Sequence, residues 1–206
     1  MNICEDAVNP ASILTLSRLV SAPVFAVAFI RGFRDTSTLW LWLALGFASL
    51  IELSDLFDGI VARARKEVTN FGKLVDPMSD SLSRQTVFIS FLVCGIIPWW
   101  MFLVFLYRDS IMSTMRIMIA YSGTVQAAKI SGKIKAVVQA TGSYLVIGVC
   151  LSHAHDIAVI PRTLWGKHPG FWIMLVPAVV TILSAFDYLV PSWPVIRSTM
   201  RNEKPR

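Results

Sequence analysis

Glu52-Leu53-Ser54-Asp55-Leu56-Phe57-Asp58-Gly59-Ile60-Val61-Ala62-Arg63, followed closely by Gly72-Lys73-Leu74-Val75-Asp76-Pro77-Met78-Ser79-Asp80, sets four aspartates into two otherwise apolar stretches. Asp55 and Asp58 are three residues apart and Asp76 and Asp80 four, so on helices each pair shares one face. A charge at the centre of a membrane helix costs about 2.5–3.5 kcal/mol on insertion scales, which makes such residues functional by default. A short loop, Ala64–Val75, would join the two helices as antiparallel neighbours and bring both pairs to the same depth. Pro77 then falls in the first turn of the third helix, where its missing N–H has no helical partner to lose.

The surroundings make these membrane helices. Of 206 residues, 55% are hydrophobic and 16% charged, with mean hydropathy +0.61. Soluble domains carry about 25% charged residues. A spanning helix needs about 20 apolar residues. Six segments meet this need: Ser12–Ile30, Leu39–Val61, Pro77–Ile97, Trp99–Ala120, Ile134–Leu151 and Phe171–Val190. The expected fold is an all-α integral membrane protein, one bundle of six transmembrane helices over residues 1–206. A short juxtamembrane segment (1–11) precedes it and a basic tail (191–206) follows it. The first helix does not read as a signal peptide, since no basic region precedes it and Arg18 interrupts it.

Charge placement orients the bundle. With the N-terminus inside, eleven basic residues between Arg63 and Arg206 fall in inner segments, against four (Arg31, Arg34, Arg162, Lys167) in outer loops. The positive-inside rule then puts both termini and the aspartates on the cytoplasmic side. Trp40, Trp42, Trp99, Trp100, Trp165 and Trp172 fall near the outer interface, where indoles belong. The net charge of +6 reads as topology and contact with anionic lipid, not nucleic acid. Cys4, Cys94 and Cys150 have no metal-ligand spacing and read as packing residues.

Four carboxylates at one depth repel, so either their proton affinities rise or cations neutralise them. Mg²⁺ or Mn²⁺, hard ions that take carboxylate and phosphate oxygens, suit this donor set. Two such ions about 3.5–4 Å apart can clamp a phosphoryl group during in-line displacement. Phosphoryl-type transfer is the chemistry this points to. A structural salt-bridge cluster with Arg63, Arg65 and Lys66 is the competing reading, but surface pairs rarely need four acids in register. Gly59 and Gly72 would admit close approach of a ligand or backbone, or pack helices.

Taken together, Asp55-x2-Asp58-Gly59-x2-Ala62-Arg63-x8-Gly72-x3-Asp76-x3-Asp80 resembles the signature of the CDP-alcohol phosphotransferase family at all eight fixed positions. The resemblance implies that family's six-helix fold, a homodimer, a polar cavity open to the cytoplasm, a CDP-linked donor and release of CMP. It implies two Mg²⁺ or Mn²⁺ ions held by Asp55, Asp58, Asp76 and Asp80. It makes Asp80 the general base, and it places Gly59, Ala62, Arg63 and Gly72 on the CDP donor. Asn9 to Arg18, which includes Thr15 on the donor side, is similar to the start of the bacterial phosphatidylglycerophosphate synthase branch. So are Arg108-Asp109, Arg116 and Gly132-Lys133-Ile134-Lys135 with Gln139. That branch usually has asparagine where Ser12 stands and lysine where Ser81 stands.

Arg108 and Arg116 are eight apart and share a helix face, and Lys133 and Lys135 open the next helix. Together they would form an acceptor-phosphate pocket. Snorkelling to headgroups is the other reading, strongest for the two lysines. A phosphorylated acceptor favours sn-glycerol 3-phosphate with CDP-diacylglycerol as donor, in phospholipid biosynthesis at a bacterial inner membrane. Inositol phosphate is the alternative acceptor, and an ion-coupled transporter is the alternative of a different class. His153, His155 and His168 lie across the membrane from the aspartates and read as solvated loop residues. Glu52 would support the metal site from one turn away.

Overall fold

The computed structural model describes residues 10–65, 70–121, 130–157 and 160–200, with side chains described over 17–54, 78–115, 132–157 and 160–187. Six helices follow one another: α1 (Pro10–Arg34), α2 (Thr38–Arg65), α3 (Asn70–Val93), α4 (Trp99–Tyr121), α5 (Ile130–Ala154) and α6 (Pro169–Met200). Each has between 23 and 32 residues. At 1.5 Å per residue that is about 35–48 Å, more than the roughly 30 Å of a hydrocarbon core. Within α5 and α6, Gly132–Ala154 and Pro169–Asp187 are long and apolar enough to cross a membrane, and less than half of either is buried in the bundle. Val20 and Val27 of α1, Leu39 of α2, Val137 of α5, and Val176, Leu183 and Phe186 of α6 are exposed. Water does not tolerate so much continuous apolar surface on a monomer.

The third helix begins seven residues earlier than the hydropathy suggested, at Asn70. The joining segment is correspondingly shorter than Ala64–Val75. Gly72 lies in the first turn of α3, and Pro77 lies inside the helix, not at its start. The apolar spacing of Phe71, Leu74, Val75 and Met78 carries the helix back past the proline. A proline removes one backbone hydrogen bond there, a loss that neighbours within membrane bundles make good. At the other end of the chain α6 runs on to Met200, so the first part of segment 191–206 is helical.

Packing links the helices in the order α1–α2–α5–α6–α4–α3 and back to α1, a closed ring. Small residues allow the close contacts. A Cβ on Gly142 of α5 would stand 2.9 Å from Pro177 Cγ and 3.2 Å from Met174 Sδ of α6. Phe33, His168, Ile96, Gly170, Trp100 and Phe171 meet at one end. Those contacts bring together the last turns of α1 and α3 and the first turns of α4 and α6, so direction alternates along the chain. The α3 stop is encoded locally. Gly95 takes φ +70°, Ile96 N–H reaches back to Phe91 O at 2.9 Å, and Pro98 follows.

The ring interior changes character at one level. Toward the end just described, the buried residues are Phe25, Phe29, Phe88, Phe91, Met101, Phe105, Val146, Ile147 and Met174. The rings interlock, with Phe88 stacked on Phe105 at 4.4 Å and Phe29 edge-on to Phe91 at 5.0 Å. One to two turns further along each helix the buried residues turn polar: Arg18, Ser54, Ser83 and Gln85, Asp109, Lys135 and Gln139, and Thr181 and Ser184. A dry half therefore closes one end, and polar groups line the half that contains Asp80.

Candidate active site

Asp55 and Asp58 lie on continuous α2, and Asp76 and Asp80 on continuous α3, so the three- and four-residue spacings fall on helical backbone. Of the residues singled out from the sequence, the side chains of Thr15, Asp55, Asp58, Gly59, Ala62, Arg63, Gly72, Asp76 and Arg116 lie outside the described residues. Asp80, Arg108, Lys133 and Lys135 are described. Among the described residues no group of three His, Cys, Asp or Glu is placed to hold a metal, Asp80 being the one signature aspartate in that set.

Asp80 opens onto a cleft between α2, α3 and α5. Glu52 of α2, Asp80 and Arg84 of α3, and Gln139, Ser143 and Tyr144 of α5 form its polar wall. Ile51, Val87 and Ile147 supply apolar surface. One turn past Asp80, the Arg84 guanidinium forms an ion pair with its carboxylate. Arg84 also lies within electrostatic reach of Asp109 and Glu52. Ser81 thus leaves no cation next to Asp80 in sequence, and Arg84 supplies one next to it in space.

Asp109 of α4 organises a second cluster. Its Oδ1 accepts from Lys135 Nζ at 2.5 Å and from Arg108 at 3.2 Å, and its Oδ2 faces Gln85 Nε2 at 3.4 Å. The structure therefore brings Arg108 and Lys135 together on the Asp109 carboxylate. Lys133 is exposed and stands apart from this group. Arg84 and the Lys135–Asp109 contact were the missed features. The first was legible as an acid–base pair at i,i+4. The second joins residues 26 apart on different helices and had no local signal.

His155 is exposed, as expected of a loop histidine, whereas His153 and His168 are packed and partly buried. His168 is edge-on to Phe33 at 5.7 Å and to His153 at 5.9 Å, and its Nδ1 accepts from Gly170 N–H at 3.0 Å. His153 Nε2 lies 3.0 Å from Ile160 O. Burial, with His153 as a second cause, pushes the His168 pKa down to about 4.

The described residues thus form a ring of six helices, packed with apolar side chains toward one end and lined by polar groups around Asp80. Residues 8–183 match the CDP-alcohol phosphatidyltransferase family, and the chain belongs to that family. It is 29% identical over 183 residues to a probable phosphatidylglycerophosphate synthase of Mycobacterium tuberculosis, covering 88% of this chain and 80% of that one. It is 26% identical over 194 residues to a CDP-diacylglycerol–glycerol-3-phosphate 3-phosphatidyltransferase of Bacillus subtilis, covering 90% and 96%. A Yersinia pestis protein of the same name is 28% identical over 188 residues, covering 87% and 92%.

Proposed function

We propose that this chain transfers the phosphatidyl group of CDP-diacylglycerol to sn-glycerol 3-phosphate and releases CMP. The observation that carries this is Asp80, held by Arg84 in the wall of a polar cleft that the dry half of the bundle closes at one end. The names of relatives that span most of the chain support the donor and acceptor.

In this reading the acceptor hydroxyl oxygen attacks the phosphatidyl phosphorus, the bond from that phosphorus to the CMP oxygen breaks, and Asp80 takes the hydroxyl proton. A base must lie within hydrogen-bond reach of that proton, which a carboxylate opening onto the cleft satisfies. Four carboxylates are hard oxygen donors and fit a divalent cation. Asp55, Asp58, Asp76 and Asp80 would hold two Mg²⁺ or Mn²⁺ ions, which stabilise charge on the pyrophosphate when bound. Gly59, Ala62, Arg63, Gly72 and Thr15 serve the CDP moiety.

The acceptor phosphate sits by Arg108 and Lys135, with Arg116 and Lys133 completing the basic set, guanidinium and ammonium groups being suited to phosphate oxygens. The six helices span the membrane with both termini and the cleft on the cytoplasmic side, and the protein works as a homodimer.

The test is CMP release by purified protein in detergent with CDP-diacylglycerol. Release is expected with glycerol 3-phosphate, to be lost on chelation and restored by Mg²⁺ or Mn²⁺. Turnover of inositol phosphate alone would refute the acceptor and leave the family untouched.

A further inference from the structure

Gln139 lies in the α5 wall of the cleft and is 1% exposed. Its Nε2 donates to Thr181 Oγ1 on α6 at 3.0 Å. Its Oε1 is buried and has no hydrogen-bond partner. Such orphans are rare and costly in folded proteins, and each calls for a missing partner.

The neighbouring polar groups are already engaged. Ser143 Oγ donates to the Gln139 carbonyl at 3.0 Å, Tyr144 OH lies 3.5 Å from Ser49 Oγ, and Arg84 is paired with Asp80. What the wall lacks at Gln139 is therefore a donor. An amide oxygen only accepts, and so does an ionised carboxylate such as Asp80. Phosphate and carboxylate oxygens have no proton to offer Oε1, and the Arg84 guanidinium in the same cleft disfavours an ammonium group. Two acceptors in one cleft suit a ligand with two neighbouring hydroxyls.

We propose that Gln139 Oε1 accepts a hydrogen bond from the acceptor hydroxyl that is not transferred, the one adjacent to the reacting hydroxyl. Gln139 is then the residue that selects a vicinal diol. This rests on the phosphatidyl-transfer reading above. In glycerol 3-phosphate the C1 hydroxyl reacts at Asp80, the C2 hydroxyl meets Gln139, and the C3 phosphate goes to the basic cluster.

The experiment compares CMP release from CDP-diacylglycerol by the full chain on glycerol 3-phosphate and on 3-hydroxypropyl phosphate, which lacks only the C2 hydroxyl. The wild-type protein should prefer glycerol 3-phosphate by about 10–100-fold in kcat/KM, the range for an unpaired buried polar group. Gln139→Leu should lower turnover of glycerol 3-phosphate by a similar factor and leave the analogue within about threefold, collapsing the preference. Gln139→Glu, which keeps an acceptor oxygen, should retain most of it.

Equal loss on both substrates would make Gln139 structural and overturn the inference. Equal turnover of both by the wild-type protein would overturn it without any variant. No CMP release from glycerol 3-phosphate would instead overturn the activity, and the inference with it.

Discussion

Asp80 is the residue on which the chemistry converges. Its side chain is 38% exposed toward the cleft, while its partner Arg84 is 20% exposed, so substrate reaches the carboxylate more readily than the guanidinium. Asp80→Asn keeps the shape and removes the base. Turnover should fall by roughly 10²–10⁴-fold with donor binding retained, read as CMP release against CDP-diacylglycerol binding. Arg84→Leu should lower kcat by about tenfold, a partly exposed ion pair being screened, and Arg84→Lys should recover most of it. An unchanged kcat in Arg84→Leu would show that the ion pair does not position Asp80. The four signature aspartates were legible because ionisable residues in apolar helices have few uses. Arg84 passed as one more basic residue within a helix until its pairing with Asp80 was visible.

Between elements, Asp109 ties α4 to α5 through Lys135 and to α3 through Gln85. Local rules place Asp109 and Lys135 on separate helices and stop there. Their meeting needs the helix order around the ring, which hydropathy does not contain. Removing one partner of a buried ion pair leaves the other charge uncompensated, and Asp109→Asn does this to Lys135. Thermal unfolding in detergent should show a loss of about 3–5 kcal/mol, the range for breaking such pairs. A wild-type melting curve would mean that Arg108 and Lys135 are stabilised by other groups. The extent of α3 is a local matter: its apolar spacing continues through Pro77, and the helical backbone runs from Asn70 to Val93.

Across the whole molecule, polarity is divided along the bundle. The end holding Phe33, His153 and His168 is packed and apolar, so His168 is neutral in the fold. Its pKa falls from 6.5 to about 4 on folding, so between those values the unfolded chain binds the extra proton. The stability contributed by His168 is complete above about pH 6.5 and is lost as pH drops toward 4. Melting temperature should therefore fall through this window. His168→Asn, which cannot titrate there and keeps an acceptor near Gly170 N–H, should show a shallower fall. Equal pH slopes in both proteins would assign the acid sensitivity to other groups. The expectation of solvated histidines holds for the exposed His155 and fails for His153 and His168, because loop position in the sequence does not report whether a neighbouring helix end covers the loop.

The sequence alone determined that the chain is helical and apolar, with six segments, and that four aspartates stand at helical spacing in two of them. Each of these follows from local periodicity and from the cost of placing charge in apolar surroundings, which act over a few residues. The tertiary structure alone decided the ring order of the helices and the meeting of Lys135 with Asp109. It also decided the unsatisfied oxygen of Gln139. These depend on which faces of distant helices meet. That is set by the packing of the whole bundle, where a buried polar group is defined by what it fails to touch as much as by what it touches.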